Sequence, residues 1–111
     1  MLKENNQSIP YITVDELLEK EKFLLLDSRE QEEYDISHIE NANFVGYDKF
    51  KLQKLKSILP KDKNEPIVVY CSLGIRSENI AEKLQKAGYT NVYNLYGGIF
   101  QWKNKDNPVI D

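Results

Sequence analysis

Cysteine is nearly absent from this 111-residue chain: Cys71 stands alone, so no internal disulfide can form. Histidine is equally scarce, with His38 the single example, and one Cys with one His fall short of the usual zinc ligand set. No apolar run exceeds about five residues, against the ~20 needed to span a membrane. The opening MLKENNQSIP holds no apolar stretch of signal-peptide type. An excess of positive charge is missing too. The formal net charge is -3, which argues against a nucleic-acid binder working through bulk electrostatics. Repeats, linkers and low-complexity segments are absent. Arginine is the last scarcity: among 15 basic residues only Arg29 and Arg76 are arginines. Where a generic cation suffices this chain uses Lys, so those two mark positions that need a planar, five-donor fork.

What remains is 41% hydrophobic and 30% charged, the balance of a soluble globular chain. The length suits one domain over residues 1–111, and folding at this size hides roughly 65% of the unfolded surface. The expectation is a cytoplasmic protein with no membrane or nucleic-acid partner. No apolar stripe is left over from the core, so a monomer is expected.

Short apolar runs alternate with helix-like segments. Tyr11-Ile12 reads as a short first strand. Thr13 and Glu16 have capping-box spacing, predicting a helix to about Lys20. Phe23 to Leu26 is a continuous apolar run ending at Asp27, the pattern of a strand buried on both faces. Glu30 to Tyr34 predicts a turn or two of helix, and Asn43 to Val45 a weak strand. Leu52, Leu55 and Leu59 predict a helix with its apolar side inward. Lys49, Lys51, Lys54 and Lys56 surround it and read as a solvated face rather than a basic docking patch. Ile67 to Tyr70 is the strongest strand. A helix starting near Ser77 follows, with Ile80, Ala81, Leu84 and Ala87 inward and Gly88 at a left-handed C-cap. Val92 to Leu95 is a last strand, Gly97-Gly98 a turn, and Ile99 to Lys103 a short helix anchored by Trp102. This alternation predicts a mostly parallel sheet with helices on both faces. Ligands of such sheets bind outside the carboxyl ends of the strands, where Asp27 and Cys71 fall.

The chemistry concentrates in Cys71-Ser72-Leu73-Gly74-Ile75-Arg76-Ser77. A buried strand delivers Cys71 to its tip, Gly74 bends a short loop, and a helix follows. Successive N–H groups of such a loop form a nest for anionic atoms, and the helix N-terminus adds positive partial charge. Both should lower a thiol from about 8.5 into the ~3.5–7.5 range. Such a thiolate attacks soft electrophiles, sulfur among them. The plainer alternative is a small buried hydrophobe, the commonest role of a free Cys. That alternative leaves the Gly-containing loop between strand and helix unexplained.

The chain resembles the rhodanese family of single-domain sulfurtransferases from about Ile12 to Val109. Four blocks carry the likeness, in order. Asp27-Ser28-Arg29-Glu30-Gln31-Glu32-Glu33-Tyr34 is similar to D-x-R-E-x-x-E-[YF], and Ser37-His38-Ile39-Glu40-Asn41-Ala42 to G-H-I-x-x-A. Cys71 to Ser77 is similar to the active-site loop C-x-x-G-x-R-S. Ala87 to Ile99 with Trp102 is similar to A-G-[YF]-x-x-V-x-x-L-x-G-G-[IM]-x-x-W. The resemblance implies an α/β fold, three layers α/β/α with a five-stranded parallel sheet in order 1-5-4-2-3. In that order Asp27 and Cys71 end on neighbouring strands. A bare carboxylate beside a thiolate would raise its pKa, so Asp27 is expected to bond loop amides or Arg76. Arg29 and Glu30 are expected as scaffolding, paired with backbone or nearby charges. His38, Gly97, Gly98 and Trp102 are implied to be structural. The chain departs from the family pattern at Ser37, where Gly is usual, and at Asn41 to Gly46, which puts the local turn and the third strand in question. In the loop mouth Arg76 is the only basic residue, with Ser72, Leu73 and Ile75 beside it. A persulfide donor is therefore better assured than dianionic thiosulfate.

The implied reaction moves a sulfane sulfur from thiosulfate or a persulfide donor through a Cys71 persulfide to cyanide, a thiol or a protein thiol. Residues 72–77 would hold the charged sulfur, with Asp27 and Arg29 supporting. No metal or organic cofactor is implied, and the partners expected are small sulfur donors and acceptors or a persulfide-carrying protein. A phosphatase or arsenate reductase would need a loop one residue longer to cradle a tetrahedral oxyanion. A carrier or non-catalytic module docking to a partner protein is the alternative from a different class.

Overall fold

The structure is a computed structural model describing residues 9–47, 50–72 and 75–110. Its elements in chain order are β1 (Tyr11–Ile12), α1 (Val14–Leu18), β2 (Leu24–Asp27), α2 (Gln31–Ile36), β3 (His38–Ile39) and β4 (Asn43–Phe44). A 3-10 segment (Leu52–Leu55), β5 (Ile67–Tyr70), α3 (Ile75–Lys86), β6 (Val92–Leu95), α4 (Gly98–Asn104) and β7 (Val109–Ile110) complete them.

Five strands pair in the order β1-β6-β5-β2-β4, every neighbour parallel. Numbered within this sheet alone, that is the implied order 1-5-4-2-3. β5, the central strand, is buried at all four residues, which is why its sequence is an unbroken apolar run. Alternate residues then face opposite layers. Leu25, Val68, Tyr70 and Leu95 pack with Val14 and Leu17 of α1 and Ile99 and Trp102 of α4. Leu26, Val69 and Val92 pack with Ile80, Ala81 and Leu84 of α3, and Leu52 and Leu59 lie against them. Each such buried aliphatic side chain contributes roughly 1.5–3 kcal/mol.

Local chemistry sets the ends. The Thr13 hydroxyl accepts from Glu16 N at 3.1 Å while Glu16 Oε1 accepts from Thr13 N at 2.9 Å, the expected capping box. Gly88, at φ +104°, closes α3 in a conformation that side chains rarely take. Asn41 has φ +71°, and Asn is among the residues that tolerate the left-handed region, so the departure over Asn41 to Gly46 leaves β4 paired with β2. Ser37 has φ -165°, extended backbone open to any residue, and needs no Gly.

Three sequence expectations change. The helix expected over Leu52 to Leu59 is a 3-10 segment of four residues followed by turns. Lys49 lies outside the described residues. α3 starts at Ile75, two residues before the expected Ser77, which brings Arg76 into its first turn. A second, two-stranded sheet was not foreseen: β3 and β7 pair antiparallel, His38 with Ile110 and Ile39 with Val109.

Candidate active site

Parallel strands deliver their carboxyl ends to one edge, and β2 and β5 end side by side, Asp27 opposite Tyr70. Cys71 follows Tyr70 directly and is buried, 2% exposed. Its carbonyl accepts from Ile99 N of α4 at 3.0 Å. α4 approaches this closely because residue 98 is Gly. A Cβ there would meet the Cys71 carbonyl oxygen at 2.0 Å and that of Ser72 at 2.6 Å. The Gly97-Gly98 turn is thus a positioning device for the cysteine backbone.

On the other side stands α2. Glu30 caps it, and a reciprocal Glu30–Glu33 box closes its first turn, with the Glu30 amide donating to Glu33 Oε1 at 2.9 Å. Glu33 then faces the cysteine loop. Arg76 donates from Nη1 to Glu33 Oε1 at 3.0 Å and from Nη2 to Oε2 at 3.3 Å, a two-pronged pair. Ser72 Oγ donates to the same Oε2 at 3.4 Å. The Arg76 hydrogen bonds hold Glu33 below the usual carboxylate range, against the opposing pull of partial burial. The same bonds raise Arg76, whose charge also attracts that of a Cys71 thiolate. Both arginines of the chain therefore sit where a fork is used, as their rarity suggested.

The second fork lies beneath. Arg29 donates from Nη2 to Asp27 Oδ2 at 2.7 Å and from Nε to Oδ1 at 3.0 Å, and Nη2 also reaches the Ser37 carbonyl at 2.6 Å. The Tyr70 hydroxyl donates to Asp27 Oδ2 at 2.7 Å and accepts from Ile39 N at 3.1 Å. Loop amides or Arg76 were the expected partners of Asp27; it bonds Arg29, through side chain and backbone amide, and Tyr70, while Arg76 goes to Glu33. The physical reason is reach: Arg29 is two residues away and buried with it, while Arg76 is engaged by Glu33. Burial disfavours the Arg29 cation, yet the bond and charge of Asp27 outweigh it and the guanidinium is raised. Burial, then the Asp27 charge, pushes the Tyr70 hydroxyl far up. This network ties β2, β5, β3 and the start of α2 together under the site.

Ser77, expected with the loop, is fully buried in α3, its hydroxyl bonded to Asn94 of β6. It seats the helix on the sheet instead of lining the mouth. Ile75 opens α3, and Leu73 and Gly74 lie outside the described residues. His38 stacks on Tyr34 with ring centroids 3.8 Å apart, and its Nδ1 lies 3.0 Å from the Tyr34 carbonyl. Sequence reasoning missed Glu33 and Tyr70. Glu33 had a signal, its fixed place in the D-x-R-E-x-x-E block. Tyr70 was hidden in an apolar run. Among the described residues no cluster of three or more His, Cys, Asp or Glu is placed to hold a metal ion. Nor is any helix among them long and apolar enough to cross a membrane.

A lone cysteine at the carboxyl tip of a central parallel strand, faced by an arginine in the first turn of the next helix, defines a class of α/β proteins with a cysteine-centred loop. Within that class the chain belongs to the rhodanese-like domain family, which matches residues 12–105. It is 34% identical over 105 residues to the thiosulfate sulfurtransferase GlpE of Coxiella burnetii, covering 95% of this chain and 94% of that protein. It is 35% identical over 102 residues to the tRNA uridine(34) hydroxylase of Hamiltonella defensa, covering 86% of this chain but 29% of that protein. Two solved structures are similar: a rhodanese-related protein from Thermoplasma volcanium (TM-score 0.76, 27% identity, 91% of this chain and 97% of that one). The other is a rhodanese-like domain protein from Staphylococcus aureus (TM-score 0.70, 32% identity, 85% and 91%). Family membership and the GlpE likeness support a sulfurtransferase-type function.

Proposed function

We propose that the chain is a sulfurtransferase that carries a sulfane sulfur as a Cys71 persulfide. The observation that carries the reading is the placement of Cys71 at the β5 tip, between the α4 backbone and the Arg76–Glu33 pair. The Cys71 thiolate attacks the outer sulfur of the donor. The new Sγ–S bond forms as the donor's S–S bond breaks, and that electron pair leaves with sulfite or a thiolate. An acceptor nucleophile then removes the sulfur and returns the thiolate, two half-reactions with ping-pong kinetics. The loop amides and the α3 N-terminus stabilise the charge. Arg76 is already neutralised by Glu33, which favours a singly charged persulfide donor over dianionic thiosulfate. The acceptor is a small thiophile or thiol, and the chain acts as a monomer.

Intact mass after incubation with thiosulfate, and separately with glutathione persulfide, tests this. Wild type should gain one sulfur atom that cyanide removes, and Cys71→Ser should gain none while keeping its fold. A sulfur gain in Cys71→Ser, or none from either donor in folded wild type, would sink the mechanism.

A further inference from the structure

Among the described residues the buried face of α3 is apolar except at its N-terminal end. Ile80, Ala81 and Leu84 pack with Leu26, Val69 and Val92 of the sheet. Ser77, three residues before Ile80 and four before Ala81, falls on the same face. It is fully buried and donates its hydroxyl to Oδ1 of Asn94, which is fully buried as well. Asn94 belongs to an interior strand, in register with Val69 of β5 and Tyr11 of β1. Asn is depleted in strands, and burying an amide and a hydroxyl is costly unless they are bonded. Replacing both partners of a buried bond by apolar groups of like shape is nearly neutral for stability, so stability alone does not call for the pair. What the bond adds is direction. Apolar burial is non-directional and lets a helix roll or slide on its sheet, whereas a hydrogen bond weakens steeply once bent.

We propose that Ser77 and Asn94 are positioning residues of the reaction: their bond fixes the rotation of α3 about its axis, and so aims the α3 N-terminus and Arg76 at the Cys71 sulfur. The assignment rests on the sulfurtransferase reading for the reaction it serves. The bond lies close to the chemistry. Asn94 is level with Val69, two residues before Cys71, so it stands about 7 Å back along the strand direction and one strand over. Ser77 is in the first turn of α3, directly after Arg76. Neighbouring helical residues point about 100° apart. With Ser77 held down on the sheet, Arg76 is therefore turned aside, onto Glu33 of α2. Rolling α3 would swing the guanidinium off that carboxylate and shift the first-turn amides relative to Cys71. Both Ser77 and Asn94 are fully buried, so they act through α3 rather than on the substrate.

A double-mutant cycle of Ser77→Ala, Asn94→Leu and the two together tests this, with two readouts. The first is alkylation of Cys71 by iodoacetamide followed against pH, which reports the thiolate and needs no sulfur donor. The charged groups facing that end of α3 are Arg76 itself with Glu30 and Glu33 of α2, and Asp27 with Arg29 lies beneath; the cycle alters none of them. The second is kcat for sulfur transfer to cyanide. In each variant the alkylation midpoint should rise by about one pH unit, because a misaimed helix N-terminus and Arg76 favour the thiolate less. Turnover should fall about tenfold. Ser77→Ala should cost nothing further on the Asn94→Leu background. The double variant should melt within about 5 °C of wild type. An unmoved midpoint, additive losses, or a double variant unfolded at the assay temperature would each overturn the inference, the last by making the bond an element of the fold alone. A shifted midpoint in variants of a wild type that moves no sulfur would overturn the sulfurtransferase reading and leave the positioning of α3 standing.

Discussion

Asp27 and Arg29 show how much depends on a charge being answered. Their side chains are 0% and 6% exposed and 2.7 Å apart. Removing one charge leaves the other buried and unanswered, which typically costs about 3–5 kcal/mol. Asp27→Asn should therefore lower the unfolding free energy by roughly that amount in a urea titration. A loss below about 1 kcal/mol would mean water reaches the pair. Glu33 and Arg76 form the looser, catalytic-side fork. The pair is partly exposed, so its effect is on loop geometry more than stability. Glu33 is held below its ordinary 4.5 by Arg76, so its folded form binds protons less readily than the unfolded chain. Its stabilising contribution is present above pH 4.5 and is lost as pH falls through the lowered folded value. Glu33→Gln should lose that part of the acid sensitivity and slow sulfur transfer about tenfold by freeing Arg76 and Ser72. Denaturation midpoints between about pH 6 and 3, with kcat near neutral pH, read both; identical acid profiles would contradict the pairing.

At the scale of elements the cysteine loop depends on α4, which is remote in sequence. Ile99 N holds the Cys71 carbonyl, and Gly98 lets the two backbones meet. Gly98 also sits at φ +57°, where a side chain costs about 1–2 kcal/mol before any clash. The contact a Cβ would make is with backbone, which cannot swing aside. Gly98→Ala should lower the melting temperature and cut sulfur transfer more than tenfold at temperatures where it stays folded. Unimpaired turnover would show that α4 can retreat without moving Cys71. The 3-10 segment has a plain physical reason. Its inward leucines need only one turn against α3, and Pro60 with the polar run after it offers no core to extend into.

At the scale of the molecule the C-terminal end of the described chain is tied back onto its middle. β7 pairs with β3, and Trp102 Nε1 donates to the Pro108 carbonyl at 2.8 Å. The Ile39 amide of β3 in turn donates to the Tyr70 hydroxyl, so this small sheet braces the buried network under the site. Deleting residues 108–111 should cost about 1–3 kcal/mol and red-shift Trp102, the single tryptophan, as water reaches it. Urea unfolding followed by fluorescence checks both, and unchanged emission with unchanged stability would show β7 to be idle.

The amino-acid sequence by itself determined the periodicity: which runs form the five-stranded sheet, where Thr13 caps α1, that Gly88 ends α3, and which cysteine stands at a strand tip. Those are local properties, set by side-chain size, branching and capping within a few residues. Tertiary structure alone decided the partners. Asp27 meets Tyr70 over 43 residues, Arg76 meets Glu33 over 43, and β3 meets β7 across most of the chain. Each pairing is between residues whose own neighbourhoods permit several partners, and only parallel registration of β2 on β5 selects one.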